Sequence, residues 1–165
     1  MNWRSLVGVL ALILIAPGCR AEPQQLAAPA AASVSPAGLA VVPLSIRSGA
    51  KTHSFTVEVA RTPDQQSRGL MYRPTLGADE GMIFPFDPPR PASFWMKNTM
   101  IPLDMLFIRA DGTIARVAAN TVPYSLDPVE VGEPVAAVLE IAGGRSAQLG
   151  IAEGDRVSWP GGPAS

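Results

Sequence analysis

The run Phe94-Trp95-Met96-Lys97-Asn98-Thr99, followed closely by Ile101-Pro102-Leu103-Asp104, concentrates aromatic, ammonium, amide, hydroxyl and carboxylate groups in one short stretch. Groups of these kinds build either a polar-aromatic ligand cleft or a structural knot. Trp95 and Lys97 stand two apart, so on a regular strand they share a face and the ammonium can lie against the indole. Asp104 belongs to an alternation in which Leu103, Met105 and Phe107 share one face and Asp104, Leu106 and Ile108 the other. Both faces are apolar, which predicts a central strand covered on both sides. A carboxylate there is costly unless cations or amides satisfy it. The expected partners are Lys97, Asn98, Thr99 and the amides of residues 98–102. Asp104 then organises that turn, or with Lys97 forms one wall of a pocket.

The remaining reactive groups are few. Arg68 and Arg73 flank Met71 near a helix end and could clasp an anionic group or pair with acids. Glu58 is expected on a solvated face and Glu140 beside Arg68 or Arg73. A carboxylate-pair hydrolase could draw on Glu58, Asp104 and Glu140. Cys19, the only cysteine, precedes the folded region and His53 is the only histidine, so Cys–His nucleophilic catalysis has no basis and a serine triad very little. No His/Cys cluster suggests zinc, no Asp-rich loop suggests calcium, and Gly143-Gly144 alone is a turn rather than a phosphate cradle. No metal or cofactor is expected. A net charge of −1, with only 16% charged residues and no basic cluster, argues against nucleic acid as a partner.

Several elements must position these groups. Phe55, Val57 and Val59 alternate with Thr56 and Glu58 as a half-buried strand. Thr62-Pro63-Asp64-Gln65 has the form of a capping box opening a short helix that Gly69 stops. Residues 81–86 form a strand that Pro85 confines to an edge or a bulge. Residues 87–91 are a rigid loop leading to a central strand at residues 94–96. Asp111-Gly112 turns the chain into a strand antiparallel to residues 103–108. Residues 120–134, with three prolines, are mostly loop; residues 137–141 and 155–159 are strands around a helical turn closed by Gly150. The pattern predicts an all-β fold, a compact jelly-roll-like sandwich or barrel with one or two short helices, spanning residues 53–160.

The N-terminus points to export. Arg4 precedes an apolar run at residues 6–15, and small residues lead into Cys19, which resembles a bacterial lipoprotein signal with lipid attached to Cys19. The alternative is an ordinary secretory peptide cut after Ala21. Residues 20–45, rich in Ala and Pro, are expected to form an extended tether, with a strand at 39–46 docking on the domain edge as the alternative. Either signal places the domain on the periplasmic side of the envelope, lipid-anchored to a membrane or soluble.

The segments Phe55-Thr-Val-Glu-Val-Ala60, Arg68-Gly-Leu-Met-Tyr-Arg73, Gly81-Met-Ile-Phe84, Phe94 to Thr99, Ile101-Pro-Leu-Asp104, Asp111-Gly112 and Val138-Leu-Glu140 together resemble the domain of unknown function 192 family. The resemblance runs from about Phe55 to Trp159 and implies a jelly-roll-type β-fold, often behind an export signal, with no assigned activity. The residues favour binding over catalysis. The expected function is an envelope binding module for an unidentified small molecule, its cleft built from Arg68, Met71, Arg73, Trp95, Lys97, Asn98, Asp104 and Glu140. The alternatives are a membrane-tethered adaptor for an envelope protein and the carboxylate-based hydrolase.

Overall fold

A computed structural model describes residues 33–163. The proposed signal, Cys19 and half of the proposed tether lie outside them. Ten strands and two short helices follow in chain order: β1 (Ser33–Val34), β2 (Ala40–Ser48), β3 (Lys51–Val59), α1 (Pro63–Arg68), β4 (Glu80–Arg90), β5 (Ser93–Phe94), β6 (Leu103–Ile108), β7 (Ile114–Thr121), β8 (Val129–Glu130), β9 (Val135–Ala142), α2 (Arg145–Leu149) and β10 (Arg156–Ser158). The fold is all-β, as its alternations predict.

Eight strands form one mixed sheet in the order β1-β2-β3-β4-β9-β6-β7, with β10 also paired to β2. Only β3 and β4 run parallel, because α1 carries the chain across between them. A single bridge, Thr113 to Arg156, joins β10 to the start of β7. The sheet therefore curls toward itself without closing into a barrel. Its two faces carry separate cores. Leu44, Phe55, Val57, Ile83, Leu106 and Leu139 pack on one; Met82, Phe84, Met96, Met105, Phe107 and Val138 pack on the other, under the loop of residues 91–102. Every residue of β6 is buried, as expected of a strand apolar on both faces.

Two local expectations need correction. Residues 40–45 are not tether but a strand, as in the alternative given for residues 39–46: β2 pairs with β3 from Val41↔Glu58 to Ser48↔Lys51, so the fold starts well before residue 53. Leu44 and Ile46 are driven into the core, and their burial outweighs the ladder donor that Pro43 lacks. The strand expected at residues 94–96 shrinks to Ser93–Phe94, paired off the main sheet with β8. Asn98, at φ 55°, turns the chain into the left-handed region just beyond it. Pro85 sits where the register of β4 against β9 shifts, so it marks a bulge within the sheet rather than an edge.

Candidate functional site

Cross-strand register sets out the outer face of the sheet residue by residue. Glu58 of β3 lies opposite Met82 of β4, Met82 opposite Glu140 of β9, and Glu140 opposite Met105 of β6. Directly opposed residues share a face, so both glutamates stand on the side that carries Phe84 and Phe107. Gly81 allows this packing. A Cβ at that position would lie 2.5 Å from the carbonyl oxygen of Glu140, too close for any side chain.

The two acids meet different fates, the reverse of those expected from sequence. Glu58 is buried rather than solvated, because the Arg73 guanidinium reaches over and forms an ion pair with it. Glu140 is only 5% exposed and pairs with neither Arg68 nor Arg73. Burial pushes its carboxyl up to about 8, so it is largely uncharged at neutral pH. Met82 separates the acids, and Glu58 does not line the cavity that Glu140 lines. An acid pair facing across a cleft is therefore not formed here.

That cavity is a cleft of about 410 Å³ between α1, the end of β4 and the loop after β5. Its lining includes Arg68, Met71, Phe84, Arg90, Phe94, Trp95, Thr99 and Glu140. Local sequence explains its walls. Thr62 and Gln65 make the capping box that starts α1, and the Gln66 amide donates to the carbonyls of Ala60 and Pro85, tying the helix to the sheet. Phe94 stands edge-on to Phe84, with ring centroids 5.1 Å apart, and to Phe107 at 6.3 Å, which fixes it against the core. Trp95 is 49% exposed and leaves much of its indole open to a ligand.

The polar stretch behind Trp95 acts on the cleft from outside. Lys97 Nζ lies 5.1 Å from the Trp95 ring centroid. Asn98 Nδ2 reaches the Met71 sulfur at 3.8 Å, and its carbonyl accepts from the Tyr72 amide at 2.9 Å, joining the two loops. Lys97 and Asn98 thus support Trp95 and Met71 without lining the cavity. Arg73, held by Glu58, faces an adjoining groove shared with Arg68, Met71 and Tyr72.

Asp104 belongs elsewhere, on the opposite face of β6 and fully buried. Contrary to the expectation from sequence, its carboxylate does not hold residues 98–102. One oxygen accepts from the amides of Asn120 and Gly144, each at 2.8 Å. The other accepts from the Ser146 amide at 2.8 Å and from the Ser146 hydroxyl. These four bonds pin the end of β7 and the start of α2 to β6, because the strand order sets Asp104 opposite Ile141 near the end of β9. It is a structural tie. Sequence reasoning also missed Arg90, Phe94 and Thr99 as lining residues. Pro88-Pro89 before Arg90 were the available signal, although residues 87–90 continue β4 rather than form the rigid loop expected at 87–91.

Among the described residues no group of His, Cys, Asp and Glu could hold a metal ion. A comparison with curated proteins gives no match. Among the solved structures similar to this chain are the following two. A protein of unknown function from Novosphingobium aromaticivorans is 48% identical, with a TM-score of 0.76 over 79% of this chain and 94% of that one. A Sinorhizobium meliloti protein described as a candidate transcription regulator is 44% identical, with a TM-score of 0.72 over 73% of this chain and 95% of that one. Residues 44–159 match the family model DUF192, described as uncharacterized ACR. With motifs and matched span in agreement, the chain belongs to the DUF192 family.

Proposed function

We propose that this domain is a non-catalytic binding module that takes a small molecule in the cleft between Arg68, Met71, Phe94, Trp95 and Glu140. One observation carries the reading: exposed aromatic surface and polar side chains line one concave site of about 410 Å³. Clefts of that size and mixed lining are the usual form of small-ligand sites. Separation of Glu58 from Glu140 by Met82, and the use of Asp104 as a structural tie, speak for binding over hydrolysis. The net charge of −1 favours a small ligand over nucleic acid. Titration with envelope sugars, peptides and small anions, followed by tryptophan emission, tests the reading. A saturable change lost in Trp95→Phe is expected. A response that survives Trp95→Phe and Met71→Ala would move the site elsewhere.

The adaptor reading draws on a different observation. Tyr72, Trp95, Val122, Tyr124 and Leu126 are large exposed apolar residues on loops that hydrogen-bond to one another. Export and anchoring of the module rest on the apolar run and Cys19 of the N-terminus. Mature protein extracted from membranes should begin at Cys19 and carry an acyl mass increment. An unmodified N-terminus at Glu22 would contradict anchoring.

A further inference from the structure

The Glu140 carboxyl is the one acid on the floor of the cleft, and its isolation is unusual. None of the ion pairs or side-chain hydrogen bonds among the described residues engages it. Nor is it sealed in: among the described residues, the fully enclosed side-chain atoms without a partner are His53 Nε2 and Arg145 Nε. A carboxyl that is 95% covered, unpartnered and not enclosed must present its oxygens to the cavity it lines. Its neighbours across the strands are Met82 and Met105, which offer it no hydrogen-bond donor of strength. Glu58, two strands away on the same face, is taken up by Arg73, and Asp104 of β6 points to the other face.

The charged side chains that line the same cleft are both cationic. Arg68 ends α1, and Arg90 ends β4 with its guanidinium 4.2 Å from the Phe86 ring centroid. Neither has an ion-pair partner among the described residues. A cleft with two free guanidiniums, an uncharged acid and aromatic walls is complementary to an anion with an apolar body. Guanidiniums bind carboxylates in bidentate fashion, and a protonated carboxyl donates a short, charge-assisted hydrogen bond to an anionic oxygen. A cationic ligand would meet repulsion from both arginines.

Resting on the cleft as a ligand site, we infer that its ligand class is small organic carboxylates with an aromatic or apolar body. The body lies on Phe94 and Trp95; the carboxylate lies between the arginines and accepts a hydrogen bond from Glu140. Burial holds the Glu140 proton up to about pH 8, so binding is intact below that pH. Above it, ionised Glu140 loses its donor and repels the ligand.

The test compares three probes sharing one ring, namely phenylacetate, phenylacetamide and phenethylamine, against the full chain from pH 6 to 9.5. Tryptophan emission or calorimetry gives Kd, and thermal melting confirms that each variant is folded. Phenylacetate should bind at least about tenfold more tightly than either analogue at pH 6.5, and about tenfold more weakly at pH 9.5 than at pH 6.5. Glu140→Gln should abolish that pH step, and Arg68→Gln or Arg90→Gln should weaken phenylacetate while sparing phenylacetamide. Equal binding of phenylacetamide, a preference for phenethylamine, or a pH-flat affinity would overturn the anion inference yet leave the cleft as a binding site. Failure of all three probes to bind would overturn the inference and count against the cleft itself.

Discussion

At the residue scale, three carboxylates of one domain illustrate how surroundings decide use. Asp104 is satisfied by three amides and a hydroxyl, Glu58 by a guanidinium, and Glu140 by nothing among the described residues. Asp104→Asn turns one acceptor oxygen into a donor facing amides, so stability should drop by on the order of 1–3 kcal/mol in denaturant unfolding. Lys97→Met, which changes only a surface contact with Trp95, should fall within about 0.5 kcal/mol of the parent. Equal losses in both would mean that Lys97 shares the structural tie. Glu140 gives a prediction with a definite sign. Its folded value, about 8, lies above the ordinary 4.5, so between those values the unfolded chain has released a proton that the native state keeps. Stability contributed by the group is complete below about pH 4.5 and is lost as pH rises toward 8. Glu140→Gln should flatten this slope and gain on the order of 5 kcal/mol over the parent by pH 9, read from melting curves across pH. A parent slope unchanged by the substitution would place the titration in another group.

At the element scale, legibility in the sequence followed locality. The capping box of α1, the Asp111-Gly112 turn and the double-sided apolar run of β6 are set by neighbouring residues, and each stands where its spacing predicts. β2 was obscured because Ala40-Val41-Val42-Pro43 continues the composition of the Ala/Pro-rich stretch before it. Its pairing with β3 and β10 decides for the strand, which the sequence offered only as the alternative to a tether. The partners of Asp104 and the isolation of Glu140 depend on the order β4-β9-β6, which joins strands far apart in sequence. The consequence for β2 is testable. A chain starting at residue 53 loses Leu44 and Ile46 from the core and leaves β3 and β10 without their shared neighbour. It should fail to unfold cooperatively, whereas a chain starting at residue 31 should show a single transition. Cooperative folding of the shorter chain would show that β2 is dispensable.

For the molecule as a whole, the curled sheet separates the work of its two faces. The inner face holds a continuous apolar core, with Asp104 tied in at the start of β6. The outer face is covered by α1 and by loops tied to each other through backbone bonds between Tyr72 and Asn98, Thr99 and Tyr124, and Met96 and Ser125. Loops set on a rigid sheet are where proteins commonly place binding groups. The cleft lies there, open at its rim and floored by the sheet residue Glu140. The central claim, that ligand meets this carboxyl, can be read at the atom concerned. Carbon-13 NMR of glutamate side-chain carboxyls, with Glu140→Gln to assign the signal, should show Glu140 titrating near pH 8 and moving to higher pH when phenylacetate is bound. Titration near the ordinary 4.5, or a Glu140 signal unmoved at saturating phenylacetate while other carboxyls shift, would contradict it.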